Sequence, residues 1–350
     1  MSLFALILFA RAAAASHHAP LTGQGMFTIR KTRPYAIDRA SQTSWNATWA
    51  STCSTAERAL DLKWTSLSED LVDIITERDE LGSLAGLSML LLGDSLMLQT
   101  GSAVEWVFPD FVKVTSTLKG LMPEGSCLAA RKGYFAGKTK AFTIHVCRNN
   151  QFGTHFAATI GALFKRSLVD IIVLNTGLWY NLDPYTGTKA ELTAARENAR
   201  LGLGWTPLGR DEYIADLKLF SEQLAHHQYS HGNDIPLLVW VETTPSHFLG
   251  GTFGAHAKEQ HECVHFTASE YLTSYWRNNI SEELVTGAMR IPTVRHASHL
   301  ASLHFSHVHT TRGAKISVDC THWCNPGIVP LHTLTLVLNK VLTIVSEAKH

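Results

Sequence analysis

The sequence predicts an α/β fold, a three-layer α/β/α sandwich around a central, mostly parallel sheet. Apolar runs of strand length occur at residues 87–92, 141–147, 167–174 and 236–244. Segments with apolar residues at helical spacing lie between and after them, at 156–164, 189–201, 211–228, 282–289 and 328–347. Strands that alternate with helices form a parallel sheet covered by helices on both faces.

The strand-like runs are short, and most of them are bounded by turn-forming residues. The first stops at Gly93, and the third stops at Asn175 and Gly177. A short apolar run with such boundaries favours a buried strand over a helix. Residues 118–140 are rich in Gly and Lys and are expected to form a loop region with a turn.

The length and composition fit one globular domain. The chain has 350 residues, 45% of them apolar, and its 30 basic residues balance 30 acidic ones. This length gives ample material for a core. A net charge near zero argues against a nucleic acid or an anionic membrane as the main partner. We divide the chain into a signal peptide (1–15), an extended polar lead-in (16–50) and a catalytic domain (51–350).

The N-terminus has the pattern of a secretory signal. Residues 3–10 form a short apolar core, and Ala13 and Ala15 offer a small-residue cleavage site before Ser16. The alternative is an uncleaved membrane anchor, although the run is too short to span a bilayer unaided. No later stretch is predicted to cross a membrane, so cleavage leaves no stable span. The expected location is the secretory pathway, either the Golgi lumen or the cell exterior.

The six cysteines agree with that location, because an even number behind a signal peptide suggests three disulfides. Spacing alone leaves fifteen possible pairings. A zinc site with Cys320, Cys324 and histidines is the alternative, but its spacing is poor. Asn46 and Asn279 begin N-glycosylation sequons.

Ser95 is the candidate nucleophile. It follows Gly93 and Asp94 where the first strand ends, at the rim where open α/β sheets place their ligand sites. If Ser95 opens the next helix, its backbone N–H is free to face an anion. The alternative role of this serine is a helix N-cap. A nucleophilic serine also needs a base.

The candidate base is His322, with Asp319 three residues before it. In a turn or a first helical turn this spacing brings both side chains to one side. The carboxylate then holds the imidazole in the tautomer that accepts a serine proton. The alternative is a buried histidine satisfied by a neighbouring acid.

These two motifs resemble a known family. The block from Gly93 to Leu96 and the block from Asp319 to Gly327 are similar to the GDSL and D-C-x-H-W-C-x-P-G blocks of the PC-esterase / trichome-birefringence-like family, in the SGNH hydrolase superfamily. The resemblance covers roughly residues 50 to 345. Leu98 stands where plant members carry arginine.

The resemblance implies an SGNH-like fold and a function. It implies a secretory serine enzyme that transfers an acyl group, acetyl in this family, to polysaccharide hydroxyls through an acyl-serine. Its partners would be a polysaccharide or glycan and an acyl donor, with no cofactor. The alternatives are a carbohydrate acetyl esterase, in which water accepts the acyl group, and a non-catalytic glycan-binding module.

The resemblance also assigns further residues. With the Ser95 N–H, the side-chain amide of Asn175 would form the oxyanion hole, for which a turn asparagine is the alternative. His247 would line the cleft. Asp94, Trp179 and Tyr180 are further expected substrate contacts, although the two aromatic residues are as readily explained by packing beneath their loop. The implied disulfides are Cys263–Cys320 and Cys53–Cys324, which leaves Cys127–Cys147.

A histidine cluster lies before the second motif. His304, His307 and His309 could bind a metal ion or could alternate along a strand. No carboxylate or thiolate lies at matching spacing, so no metal site is assigned.

Overall fold

The computed structural model describes most of the chain after residue 80 and two short strands before it. The described residues are 27–31, 60–64, 81–108, 110–118, 120–121, 127–149, 152, 154–166, 168–180, 209–231, 235–248, 263–267, 269–271, 275–301, 303, 307–312, 315–323 and 328–348. The predicted signal peptide, the predicted helix at 189–201, Cys53 and Cys324 lie outside them. Part of the predicted lead-in is ordered: Phe27–Lys31 (β1) pairs antiparallel with Leu60–Trp64 (β2).

A seven-stranded mixed sheet forms the centre of the molecule. Its strands are Ser88–Gly93 (β3), Val112–Val114 (β4), Cys127–Gly133 (β5), Phe142–Arg148 (β6), Ile171–Leu174 (β7), Leu237–Val241 (β8) and Thr293–Val294 (β9). Their spatial order is β4-β5-β6-β3-β7-β8-β9, in which the five strands from β6 to β9 are parallel and β4 and β5 run antiparallel at one edge.

Helices cover both faces of this sheet. They are Ser95–Ser102 (α1), Val104–Val107 (α2), Thr154–Arg166 (α3), Arg210–His231 (α4), Trp276–Ser281 (α5), Ala297–Leu300 (α6) and Ile328–Glu347 (α7), with a π-helical stretch at Glu282–Ala288. The fold is therefore α/β with a central, mostly parallel sheet, consistent with a three-layer sandwich. The finer expectation, an SGNH-type fold, is not established by these elements.

Strand β3 shows how the sequence builds two core layers. Successive strand residues point to opposite faces, and both sets are apolar here. Met89 and Leu91 are fully buried in one core with α7, whereas Leu90 and Leu92 are fully buried in the other with α3 and α4. A strand that is apolar on both faces can be stable only between two layers, which explains the unbroken apolar run before Gly93.

The sheet order places a switch point at the end of β3. The chain fills the sheet on one side of β3 with β4, β5 and β6, and then crosses to the other side to form β7. Connections leave the neighbouring strands β3 and β7 in opposite directions there, and a crevice opens at their carboxyl ends. Asp94 and Ser95 directly follow β3 and therefore lie at this crevice.

Two expectations about elements need correction. Residues 118–140 are not only a loop region, because β5 lies within them and pairs with β6; the small and basic residues of β5 hide the strand pattern. Within the described residues, the helix from Val329 to Glu347 is long and apolar enough to cross a membrane, contrary to the expectation from sequence. Half of it is buried inside the molecule, and Leu334, Val337 and Val341 belong to the core.

A hairpin outside the main sheet carries the second motif. His307–Arg312 (β10) pairs antiparallel with Lys315–Trp323 (β11). The pairing shifts between His307 and Val308: His307 lies opposite Trp323, whereas Val308 lies opposite Asp319. Residues 320–322 are therefore extra and form a bulge.

Candidate active site

Ser95 is the first residue of α1, directly after β3. The N-cap is Asp94, whose carboxylate accepts a hydrogen bond from the Leu96 N–H at 2.9 Å. The N–H groups of a helix's first turn have no intrahelical acceptor, so the Ser95 N–H faces the crevice end of the sheet without one. Ser95 itself is 3% exposed.

The turn before Ser95 is tightly packed. A Cβ added to Gly93 would lie 2.7 Å from the Asn175 carbonyl oxygen and 2.8 Å from the Met97 Cβ. Only glycine therefore lets the end of β3, the start of α1 and the loop after β7 approach this closely. The residues of α1 from Ser95 to Gly101 are all buried, because the helix lies between the sheet, α7 and β11.

The structure brings Ser95, His322 and Asp319 together. The His322 Nε2 lies 2.7 Å from the Ser95 Oγ, and the His322 Nδ1 lies 2.7 Å from the Asp319 Oδ2. Ser95 and His322 are separated by 227 positions in sequence. His322 and Asp319 retain 18% and 29% side-chain exposure, so the site opens toward solvent on their side.

The local backbone differs from the expected turn or helical turn. Asp319 and His322 lie at the bulge of β11, where residues three apart come to one side because the strand loses its regular alternation. The second carboxylate oxygen of Asp319 accepts hydrogen bonds from the N–H groups of Thr321 and His322, both at 3.1 Å. Asp319 therefore fixes both the backbone of the bulge and the orientation of the His322 ring.

These contacts determine the protonation pattern. The Asp319 carboxylate needs a donor, so His322 carries its proton on Nδ1 and presents the Nε2 lone pair to the Ser95 hydroxyl. Burial alone would raise the pKa of Asp319, but the hydrogen bonds from His322 and Thr321 outweigh it and lower that pKa. Asp319 is thus ionised at neutral pH.

Asp94, which was expected to contact the substrate, is fully buried. Burial raises the pKa of Asp94 to about 6, against the opposing effects of the Leu96 and Leu178 N–H groups, His322 and Arg148. The Leu178 N–H is near enough to lower this pKa, although the Asp94 Oδ2 has no well-aligned hydrogen-bond partner among the described residues.

Gln99 is a residue that the motif analysis missed. It is buried in α1, its Nε2 donates to the Trp323 carbonyl at 2.7 Å, and its Oε1 accepts from the Trp323 N–H at 3.1 Å. Ser95 and Gln99 are four residues apart and share one helix face. Trp323 follows His322, so this amide joins the helix of the serine to the strand of the histidine. A large polar side chain in a helix of otherwise apolar or small residues, four positions after the nucleophile, was the available signal.

The Asn175 amide does not lie in an oxyanion hole, which corrects the expectation from the family resemblance. Its Nδ2 donates to the carbonyl oxygens of Val241 and Glu242, at 3.1 and 3.3 Å. Asn175 follows β7, Val241 is the last residue of β8 and Glu242 comes next, so the amide donates to carbonyls at the end of the neighbouring strand.

His247 does not line the cleft. It is fully buried, with ring contacts to His307 and to the Ala301 carbonyl. The β10–β11 hairpin covers it, which a linear motif could not show.

The two aromatic candidates differ in placement. Tyr180 is fully buried and its hydroxyl donates to Asp216 at 2.7 Å, so it packs beneath the loop and does not contact a substrate. Trp179 is half-buried, and the Arg148 guanidinium lies 5.9 Å from its ring centre. Trp179 therefore remains the only one of the expected contacts among described residues that borders solvent.

Two disulfides lie in the described part of the chain. Cys127 is joined to Cys147 across β5 and β6, and Cys263 is joined to Cys320. The second bond ties the bulge that carries the histidine to a separate segment. The expected Cys53–Cys324 pair lies outside the described residues.

Within the same part of the chain, no group of three or more His, Cys, Asp or Glu side chains is arranged to hold a metal ion. His307 belongs to strand β10 and contacts His247, whereas His304 lies outside the described residues.

Comparison with known proteins gives distant likenesses only. No family model and no curated protein matches the chain. Solved structures that match include the 5′-methylthioadenosine/S-adenosylhomocysteine nucleosidases of Campylobacter jejuni (10% identity, 75% of this chain and 100% of that one, TM-score 0.23) and Neisseria meningitidis (10%, 73% and 99%, 0.24). The futalosine hydrolase of Helicobacter pylori matches similarly (12%, 75% and 98%, 0.24).

These findings correct the family assignment. The chain matches no PC-esterase or trichome-birefringence-like model, and the solved structures described above are two nucleosidases and a futalosine hydrolase. The expected polysaccharide acyl transfer, the carbohydrate acetyl esterase and the glycan-binding module depended on that family and are withdrawn with it. TM-scores this low support no transfer of fold or activity from the nucleosidases either.

Proposed function

We propose that the protein is a serine hydrolase that cleaves a carboxylic ester, with Ser95 as nucleophile, His322 as general base and Asp319 as the residue that orients His322. One observation carries the proposal: the unbroken hydrogen-bond chain from the Ser95 Oγ through both nitrogens of His322 to Asp319, with both contacts at 2.7 Å. This arrangement is recognised by geometry and roles, independent of family.

Each step follows from these atoms. The Ser95 Oγ attacks the ester carbonyl carbon as its proton passes to the His322 Nε2, and Asp319 stabilises the imidazolium through the Nδ1 proton. The Ser95 backbone N–H supplies one donor for the oxyanion. His322 then returns the proton to the leaving alcohol, and a water molecule, activated by the same ring, releases the acid and restores Ser95.

A second serine–histidine pair shows why the carboxylate matters. The Ser116 Oγ lies 2.9 Å from the His145 Nδ1, and both residues are buried. Burial lowers the pKa of His145 to about 4. Within the described residues, no carboxylate orients this ring. It therefore serves as a natural control for a serine that is hydrogen-bonded but not activated.

The test uses p-nitrophenyl esters of graded acyl length with the wild-type protein, Ser95→Ala and Ser116→Ala. We expect Ser95→Ala to lose at least about a hundredfold in kcat/KM, whereas Ser116→Ala keeps the wild-type value. Equal hydrolysis by Ser95→Ala and the wild type would refute the proposal. A parallel assay for adenine release from 5′-methylthioadenosine, if positive and unaffected by Ser95→Ala, would place the activity elsewhere.

A further inference from the structure

Two buried histidines lie directly behind His322. His247 follows β8, and His307 is the first residue of β10; both are fully buried. The His247 Nδ1 and the His307 Nε2 are 2.6 Å apart. We call these two residues the histidine pair.

The histidine pair holds the strand that carries the candidate base. The His307 Nδ1 lies 3.0 Å from the backbone carbonyl oxygen of His322. That carbonyl belongs to the bulge, where the regular pairing with β10 is interrupted. A proton on the His307 Nδ1 lets this ring donate to the carbonyl and hold the bulge in place.

Further contacts bind the histidine pair to the same segment. The His307 ring stacks on the Trp323 ring with centroids 4.0 Å apart. The backbone N–H of His247 donates to the Cys320 carbonyl at 2.7 Å. Contacts therefore reach Cys320, His322 and Trp323, three of the four residues that follow Asp319.

Proton counting shows that the tautomers of His247 and His307 are coupled. At its other end, the His247 Nε2 lies 2.6 Å from the Ala301 carbonyl oxygen. Three hydrogen bonds need three ring protons, whereas two neutral imidazoles carry two. Burial, with the neighbouring His247, lowers the pKa of His307 and opposes the third proton. If His307 donates from Nδ1, its Nε2 must accept from the His247 Nδ1, and the His247 Nε2 then carries no proton for the Ala301 carbonyl.

We propose that His307, held in its donating tautomer by His247, is a positioning residue that fixes the His322 backbone so that its ring meets both Ser95 and Asp319. This inference rests on the serine hydrolase function proposed above. His307 contacts the His322 backbone and the Trp323 ring, and it acts on the reaction through the position of His322.

The test compares asparagine with glutamine at each position of the histidine pair. An asparagine amide lies near the Nδ1 position of histidine, and a glutamine amide lies near the Nε2 position. His307→Asn therefore keeps the donor to His322, and His307→Gln loses it. His247→Asn keeps a donor toward His307, and His247→Gln keeps only the contact to Ala301. At each position, the asparagine and the glutamine variant both lose the packing of the same histidine ring.

Two readouts are measured on each variant: the rate at which a fluorophosphonate labels Ser95, and the far-downfield proton resonance of the Nδ1–H of His322. The resonance is assigned by its loss in Asp319→Asn. We expect both asparagine variants to label within about threefold of the wild type and to keep the resonance. We expect both glutamine variants to label tenfold to a hundredfold more slowly, since small displacements of catalytic groups cost this much, and to lose the resonance.

The outcomes separate the two proposals. A resonance that follows the predicted asparagine–glutamine pattern without any labelling of wild-type Ser95 would support the positioning role and refute the hydrolase. Equal behaviour of the asparagine and glutamine variants at His307, in rate and resonance, would refute the positioning role whether or not Ser95 reacts. If both substitutions at His307 prevent folding, the same comparison at His247 decides.

Discussion

At the residue scale, two aspartates close to His322 lie in different environments, and the site depends on that difference. Asp319 is partly buried and receives hydrogen bonds that lower its pKa, whereas Asp94 is fully buried and its pKa rises to about 6. Asp319 can therefore stabilise a positive ring at neutral pH. Asp94 serves as the N-cap of α1, and its charge costs stability.

Replacing Asp94 by Asn tests this cost. The pKa of Asp94 rises from its ordinary 3.8 to about 6. Between these values the folded protein holds a proton that the unfolded chain releases, so the stability contribution of Asp94 is largest below pH 4 and falls as the pH rises to 6. Asparagine is an equally good N-cap and does not titrate.

We compare the free energy of unfolding of Asp94→Asn with that of the wild type. The variant value minus the wild-type value should increase by roughly 2–3 kcal/mol between pH 4 and 6 and stay constant above pH 6. Urea unfolding of both proteins from pH 4 to 8 measures this. A difference between the two proteins that stays constant over the whole range would show that the Asp94 carboxyl is not perturbed by burial.

At the element scale, α1 and β11 are the two elements that must meet, and Gln99 joins them. Its amide makes two hydrogen bonds with the backbone of Trp323, in the manner of a peptide group in a ladder. The two elements are distant in sequence, so their separation depends on buried contacts of this kind.

Gln99→Met keeps the approximate volume of the side chain but removes both hydrogen bonds. We expect it to slow labelling of Ser95 by a fluorophosphonate at least tenfold, because the buried Trp323 N–H and carbonyl lose their partners and β11 shifts relative to α1. The comparison variant is Leu224→Ala, in the core on the other face of the sheet. It should lose at least as much stability, about 2–5 kcal/mol, yet label like the wild type. Equal slowing in both variants would mean that general destabilisation is responsible.

At the scale of the whole molecule, the sequence was informative where a property is local. The apolar run of β3 and the turn after it direct attention to Ser95, and the long block around His322 identifies a partner. The remaining errors concern contacts across the fold. Asn175 was predicted to lie in the oxyanion hole, but its amide donates to carbonyls at the end of β8. His247 was predicted to line the cleft, but a hairpin that is distant in sequence buries it.

The bulge could not be predicted for the same reason. Its existence depends on how β10 pairs with β11, and the spacing of Asp319 and His322 fits a turn, a helix or a bulge equally well. The family resemblance extended these local signals to a substrate, a step that a site alone does not support.

The most direct test of the whole account is to map where a fluorophosphonate attaches. We predict one adduct per chain, on the peptide that contains Ser95, with labelling abolished in Ser95→Ala, slowed at least about a hundredfold in His322→Gln and unchanged in Ser116→Ala. An adduct on another residue, or undiminished labelling in Ser95→Ala, would contradict the claim that Ser95, His322 and Asp319 act together.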